Sequence, residues 1–289
     1  MGILITLIGG RSQLAQCFLP ISKYPITVLN SEDLNLTNLT SIKSKLSLDK
    51  NKYLINFAAF NDVELSESSS DADIINNLAV KELAQHCSET NKVLIQISSD
   101  YVFDGLKGNY VESDFPNPIN KYGQSRYLGE LAIQENASQY VILRTSWLYS
   151  HLPTQYNFLS KVKSVLLKNN QILSGSIDAI GSPTSASSLA DAINHMMGKI
   201  LHHQKPLNKI FHFSDIGKIS RYCFLEKIIN IYNKKFNLCN EINQVSNSSF
   251  DLKAKRPLDT SLNCQLFEAT FDYKRIEWDT ALKKTINQL

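Results

Sequence analysis

Five short apolar runs limit what this chain can fold into. They fall at residues 3–8, 26–29, 53–60, 93–98 and 140–147, with helix-length stretches between them. Continuous apolar runs of about four to eight residues suit strands covered on both faces. Strands separated by helices do not pair as hairpins; they pair in parallel through crossovers. The alternation predicts an α/β fold built on a doubly wound parallel sheet, with helices at about 71–91 and 122–136.

The first run feeds into Gly9-Gly10-Arg11-Ser12-Gln13-Leu14-Ala15. A strand, a glycine turn and a helix in that order suit a dinucleotide. Glycine lets the backbone approach the pyrophosphate, and the helix N-terminus attracts it. Matched to a G-x-x-G-x-x-G spacing, Gly9, Ser12 and Ala15 leave one true glycine, so a plain strand–helix turn stands beside that reading. Asn30 follows the second run, where an NAD-selective site carries a carboxylate for the ribose. Its amide favours NADPH or mixed use, with Glu32 and Asp33 as substitute carboxylates. The third run ends in small residues, Ala58 and Ala59, which leave room for a cofactor or for close helix packing. Asn76 is either exposed or turned toward the sheet.

Residues 95–130 hold the residues suited to chemistry. Ile95-Gln96-Ile97-Ser98-Ser99-Asp100 reads as a buried strand ending in two hydroxyls and a carboxylate. Tyr122 and Arg126 lie four residues apart, and Asn120 as a helix cap puts them on one face. Ketone reduction needs a hydride at carbon and a proton at oxygen. Tyr122 can supply that proton, helped by a cation that favours the phenolate. Ser99 can hold the same oxygen by a hydrogen bond. Tyr-x-x-x-Arg alone is usually an ordinary helix surface; the Ser99–Asp100 strand end upstream gives it weight. Trp147 reads as core or as a ligand platform, and Arg144 as one half of a structural ion pair.

Beyond Trp147 the alternation loosens. Helices are expected at about 158–167, 185–197, 221–233 and 278–287, with a short strand at 210–213. Residues 181–184 read as a turn and 237–249 as loop with a short strand. Residues 253–257 form a basic turn, solvated or facing a diphosphate that suits the arginine fork. The 289 residues carry a net charge of +3 and no dense basic stripe, which argues against a nucleic-acid binder. Five scattered cysteines form no CxxC pair and the six histidines show no metal spacing. Reduced thiols, a cytoplasmic protein and no metal are expected, with His202 and His203 in an exposed loop. The N-terminal Met-Gly-x-x-x-Thr matches a loose acylation pattern, but a buried strand explains the same residues better. No apolar run reaches membrane-span length.

Assembled, these motifs resemble the dTDP-4-dehydrorhamnose reductase family of the extended short-chain dehydrogenase/reductases. The resemblance spans nearly the whole chain. It rests chiefly on Ser99-Asp100-Tyr101-Val102-Phe103-Asp104-Gly105, Arg144-Thr145-Ser146-Trp147-Leu148-Tyr149, Gly181-Ser182-Pro183-Thr184 and Arg256-Pro257. It implies a Rossmann-type nucleotide domain at 1–150, completed by about 184–214. A smaller C-terminal substrate lobe would comprise 151–183 and 215–289. It also implies NADPH- or NADH-dependent reduction of a 4-keto nucleotide sugar by a monomer or homodimer. By position, Gly9, Ser12, Gln13 and Leu14 would lie at the pyrophosphate, and Asn30, Asn35 and Leu36 near the adenosine. Ala59, Phe60, Asn61 and Ile97 would line the cofactor groove, with Tyr122 and Arg126 beside the nicotinamide. Ser99, Asp100, Trp147 and Arg256 would meet the substrate. The family places lysine where this chain has Arg126. Arginine keeps the charge but cannot release a proton to refill Tyr122. That leaves open a catalytically impaired member serving as a nucleotide-binding regulatory subunit. A related epimerase or dehydratase ranks last, since only Asp100 offers the extra acid or base.

Overall fold

The computed structural model describes residues 5–152, 157–167, 172–203, 208–236 and 241–288. β1 (Ile5–Ile8) leads into α1 (Gln13–Phe18), and β2 (Ile26–Leu29) into α2 (Leu39–Leu46). β3 (Tyr53–Asn56) precedes a helix in three parts: α3 (Asp71–Asp73), a π-helical turn (Ile74–Leu78) and α4 (Ala79–Glu89). β4 (Val93–Ser99), α5 (Lys121–Asn136) and β5 (Tyr140–Thr145) follow. Next come β6 (Leu148–Tyr149), α6 (Phe158–Leu166), β7 (Leu173–Ser176), β8 (Ile180–Gly181), β9 (Thr184–Ser185) and α7 (Ala186–His203). β10 (Lys209–Phe213), β11 (Ile219–Ser220), α8 (Arg221–Phe236), β12 (Ile242–Val245), α9 (Gln265–Phe271) and α10 (Trp278–Asn287) complete the order.

Six strands make one sheet in the order β10-β5-β4-β3-β1-β2, and every neighbouring pair is parallel. The chain steps outward from β1 to β2, then crosses back to β3. This reversal opens a crevice at the carboxyl ends of β1 and β3, where open α/β sheets bind ligands. Alternate residues of each strand feed opposite faces. Ile5, Leu7, Ile55, Ile95 and Leu143 join one cluster with α1, α7 and α9. Ile8, Leu54, Leu94 and Ile142 join another with α2, α4 and α5. A third core gathers Tyr149, Leu159, Phe224, Ile228 and Leu282 from the C-terminal half.

Several expectations shift. The third apolar run keeps strand geometry only through Asn56, whose side chain accepts from Ala58 N and donates to Gln96. Such local side-chain bonds end a strand by offering the backbone another partner. α7 runs on to His203, so His202 and His203 lie at a helix end rather than in a loop. α9 was not anticipated; Phe267 and Phe271, one turn apart, pack on Phe211 and Phe213 of β10. Residues 3–4 and 237–240 of the expected elements lie outside the described residues. Among those described, no helix is long and apolar enough to cross a membrane.

Arg144 is the structural half-pair expected. It meets Glu130 through Nε and Nη2, the latter at 2.6 Å, with both side chains almost fully buried. Ser98 Oγ donates to the same carboxylate. Arg144 Nη1 faces His212 Nε2 at 3.3 Å. Burial and the Arg144 charge push His212 down to about 3, so its ring stays neutral. Removing one partner strands a buried charge. Glu130→Ala is therefore expected to lower unfolding free energy by about 3–5 kcal/mol, read from denaturant melts. A loss below about 1 kcal/mol would show that Arg144 finds other compensation.

Candidate active site

The turn after β1 packs too closely on its neighbours to carry side chains at its two glycines. Gly9 has φ +84°, and a Cβ there would stand 2.6 Å from Ala58 N. Gly10 is equally constrained, since its Cβ would meet Val28 Cγ1 at 2.2 Å. Packing against β2 and the end of β3 thus requires both Gly9 and Gly10, while Gly9 and Ser12 line the cleft. Ser12 caps α1, and its Oγ accepts from Ala15 N. A hydroxyl at that position serves the helix start better than a glycine.

A cleft of about 550 Å³ opens from this turn. Gly9, Ser12, Gln13, Leu14, Asn30, Asn35, Leu36, Ala59, Asn61, Ile97, Ser99, Asp100, Tyr122, Arg126 and Trp147 all line it. Phe60 and Arg256 do not. Phe60 has both its backbone N–H and C=O held by the Asn76 side chain, at 2.9 and 3.0 Å. Asn76 is thereby buried, and the π-helical turn that carries it sets it over the β3 loop.

Beside Asn30, both substitute carboxylates are engaged. Asp33 accepts from Asn30 N at 2.9 Å, and Glu32 pairs with Arg11. Arg11 and Ser31 also line the cleft; sequence reading passed over both. Gln13 Oε1 and Asn30 Oδ1 are buried acceptors without a donor among the described residues. These two orphan acceptors fit a dinucleotide whose amino and hydroxyl groups donate to them.

The opposite wall carries the chemistry. Asn120 caps α5, its Oδ1 accepting from Gly123 N at 2.7 Å. This fixes the helix phase that turns Tyr122 and Arg126 inward, 8% and 6% exposed, which removes the ordinary-surface reading. Tyr122 Oη reaches Asn61 Oδ1 at 3.5 Å, and Tyr101 packs edge-on against its ring. Arg126 Nη2 donates to Ile97 O at 2.6 Å, and Nη1 approaches Asn76 Oδ1 at 3.5 Å. No carboxylate forms an ion pair with Arg126 among the described residues. Its charge stays available to the cleft.

Ser99 Oγ donates to Asp100 Oδ1 at 3.1 Å and accepts from Tyr101 N. Asp100 is 2% exposed and also accepts from Ser146 and Thr260. Burial pushes its carboxyl above the usual range, while the three hydroxyls pull it back. Trp147 has φ +44°, a left-handed backbone that costs a non-glycine residue roughly 1–2 kcal/mol. Its indole divides the cleft from a second cavity of about 330 Å³. Arg256 lies there, bonded to Glu64 at 2.7 Å. Arg221 lies there too, and nothing in the sequence singled it out. No cluster of three or more metal-ligating side chains occurs among the described residues.

A parallel sheet with its crevice at β1 and β3, faced by Ser99, Tyr122 and a cation, defines a Rossmann-fold protein of the extended short-chain dehydrogenase/reductase type. A family model described as the RmlD substrate binding domain matches residues 1–289. The chain belongs to the dTDP-4-dehydrorhamnose reductase family. It is 30% identical to the dTDP-4-dehydrorhamnose reductase of Aggregatibacter actinomycetemcomitans over 287 residues, 97% of each chain. The crystal structure of a dTDP-4-dehydrorhamnose reductase from Bacillus anthracis in complex with NADP superposes with a TM-score of 0.88 at 27% identity, covering 100% of both chains. An orthologue from Clostridium acetobutylicum gives 0.86 at 28% identity, covering 99% of both.

Proposed function

We propose that this chain reduces the 4-keto group of a deoxysugar nucleotide with NADPH or NADH, as a step in building cell-surface polysaccharide. One observation carries the reading: Ser99, Tyr122 and Arg126 line one cleft together with Gly9, Ser12 and Gln13 of the β1–α1 turn. A nicotinamide bound in that cleft supplies the hydride. Gln13, Leu14 and Ser12 hold the pyrophosphate, where the first N–H groups of α1 lack helical partners. Tyr122 gives its proton to the ketone oxygen. Ser99 turns its hydroxyl from Asp100 to the same oxygen, while Asp100 keeps its bonds from Ser146 and Thr260. Arg126 brings a cation to the same helical face but returns no proton, so Tyr122 is refilled through the solvated Asn61 side. Trp147 packs on the sugar and the second cavity takes the nucleotide. The non-catalytic alternative is not favoured by the relatives, which are named as reductases. The reading puts the protein in the cytoplasm as a monomer or homodimer, with 1–150 and about 184–214 as the nucleotide domain.

Purified protein given NADPH and dTDP-4-keto-6-deoxymannose should consume the cofactor and form the 4-hydroxy sugar. No turnover with either cofactor would falsify the reading. Cofactor choice has its own test. Arg11 and Ser31 line the cleft beside Asn30, where Arg11 also offsets the charge of Glu32. Arg11→Ala should raise the KM for NADPH about tenfold, the cost of one hydrogen bond to a charged group. The KM for NADH should stay within about twofold. Equal changes for both cofactors would remove Arg11 from 2′-phosphate recognition.

A further inference from the structure

The cavity beyond Trp147 contains two arginines, and they differ in how their charge is balanced. Arg256 is neutralised by Glu64, which also accepts from Lys253 N. Arg221, at the start of α8, forms no ion pair with a carboxylate among the described residues. Its guanidinium lies 3.5 Å from the Trp147 ring centroid and 5.4 Å from that of Phe158. Asp100 and Tyr101 favour its charge, yet Asp100 is already bonded by three hydroxyls. Burial and the neighbouring Arg256 pull Arg221 down to about 10, so it remains a cation at neutral pH.

A partly buried cation held flat on an indole keeps its N–H edge free. It has lost part of its hydration and gains most from an anion that enters the same space. We propose that Arg221, rather than Arg256, is the principal reader of the substrate's diphosphate, with Arg256 released from Glu64 only as a second contact. This deepens the proposed reductase function and rests on it for the substrate's chemistry. The stack on Trp147 also gives the diphosphate a direct hold on the wall of the catalytic cleft. A nucleoside monophosphate, carrying less charge, should benefit less.

Calorimetric titration of the full chain with dTDP and dTMP tests this without needing turnover. Arg221→Met should weaken dTDP binding roughly ten- to hundredfold and shrink the preference for dTDP over dTMP. Arg256→Met should cost less, and Glu64→Gln should tighten dTDP. NADPH affinity, measured on the same samples, should not move in any of them, which also reports folding. Should Arg221→Met misfold, Arg221→Lys replaces it: charge without the fork should recover only part of the affinity. The proposal is overturned if wild type does not bind dTDP, or if Arg256→Met costs more than the Arg221 variants. Arg221-dependent dTDP binding without ketone reduction would sink the reductase reading alone. Turnover with dTDP affinity indifferent to Arg221 would sink this inference alone.

Discussion

Tyr122→Phe is expected to lower kcat by about 10²–10⁴-fold, the usual worth of a positioned general acid. The ring should stay in place, because its contacts are with Tyr101 and the α5 packing rather than through the hydroxyl. The hydroxyl's partner among the described residues, Asn61 at 3.5 Å, is too distant to hold the fold together. Cofactor affinity and melting temperature should therefore match wild type. Steady-state rates and a cofactor titration on the same sample separate these effects. A variant that retains half of the wild-type kcat would transfer the acid role to another group, with Asp100 the nearest candidate.

Arg126→Met should produce the second largest loss, about 10²-fold or more in kcat/KM. It removes the cation beside Tyr122 and leaves the Ile97 carbonyl without its 2.6 Å donor. Arg126→Lys separates charge from shape. Lysine keeps the cation but is a compact point charge without the planar fork that spans Ile97 O and Asn76. It can also release a proton toward the phenol. A lysine variant above wild type would mean that proton return limits this chain. A lysine variant well below it would mean that the fork's hold on the β4 end matters more. Pre-steady-state reduction, compared with turnover, tells which step changes.

Local spacing made much of the site legible. The apolar runs had to become parallel strands, buried except at the edge strand β2, because helices of that length lay between them. Asn120 and the four-residue interval of Tyr122 and Arg126 set those side chains on one helical face, and a helix repeats that geometry wherever it is placed. The Ser99–Asp100 pair at the end of β4 was readable for the same reason. The glycine turn was legible only in part. A spacing template picks out Gly9, Ser12 and Ala15, but the packing demand on Gly10 comes from Val28 of β2, and that on Gly9 from Ala58 just after β3.

What stayed hidden depended on contacts between distant segments. Asn76 reaches Phe60 only because a π-helical turn shifts its phase, and no periodicity argument anticipates one residue of slippage. Arg11 finds Glu32 across the first crossover. Arg256 was legible as a basic residue near a diphosphate, yet its neutralisation by Glu64 depends on a loop far earlier in the chain. Arg221 carried no motif at all. By itself the sequence determined the sheet, the helix phase of the Tyr122 wall and the family, since these follow from periodicity and short-range spacing. Tertiary structure alone decided which cations stay unpaired and face the two cavities, because charge balance is set by whatever the folded chain brings within a few ångströms.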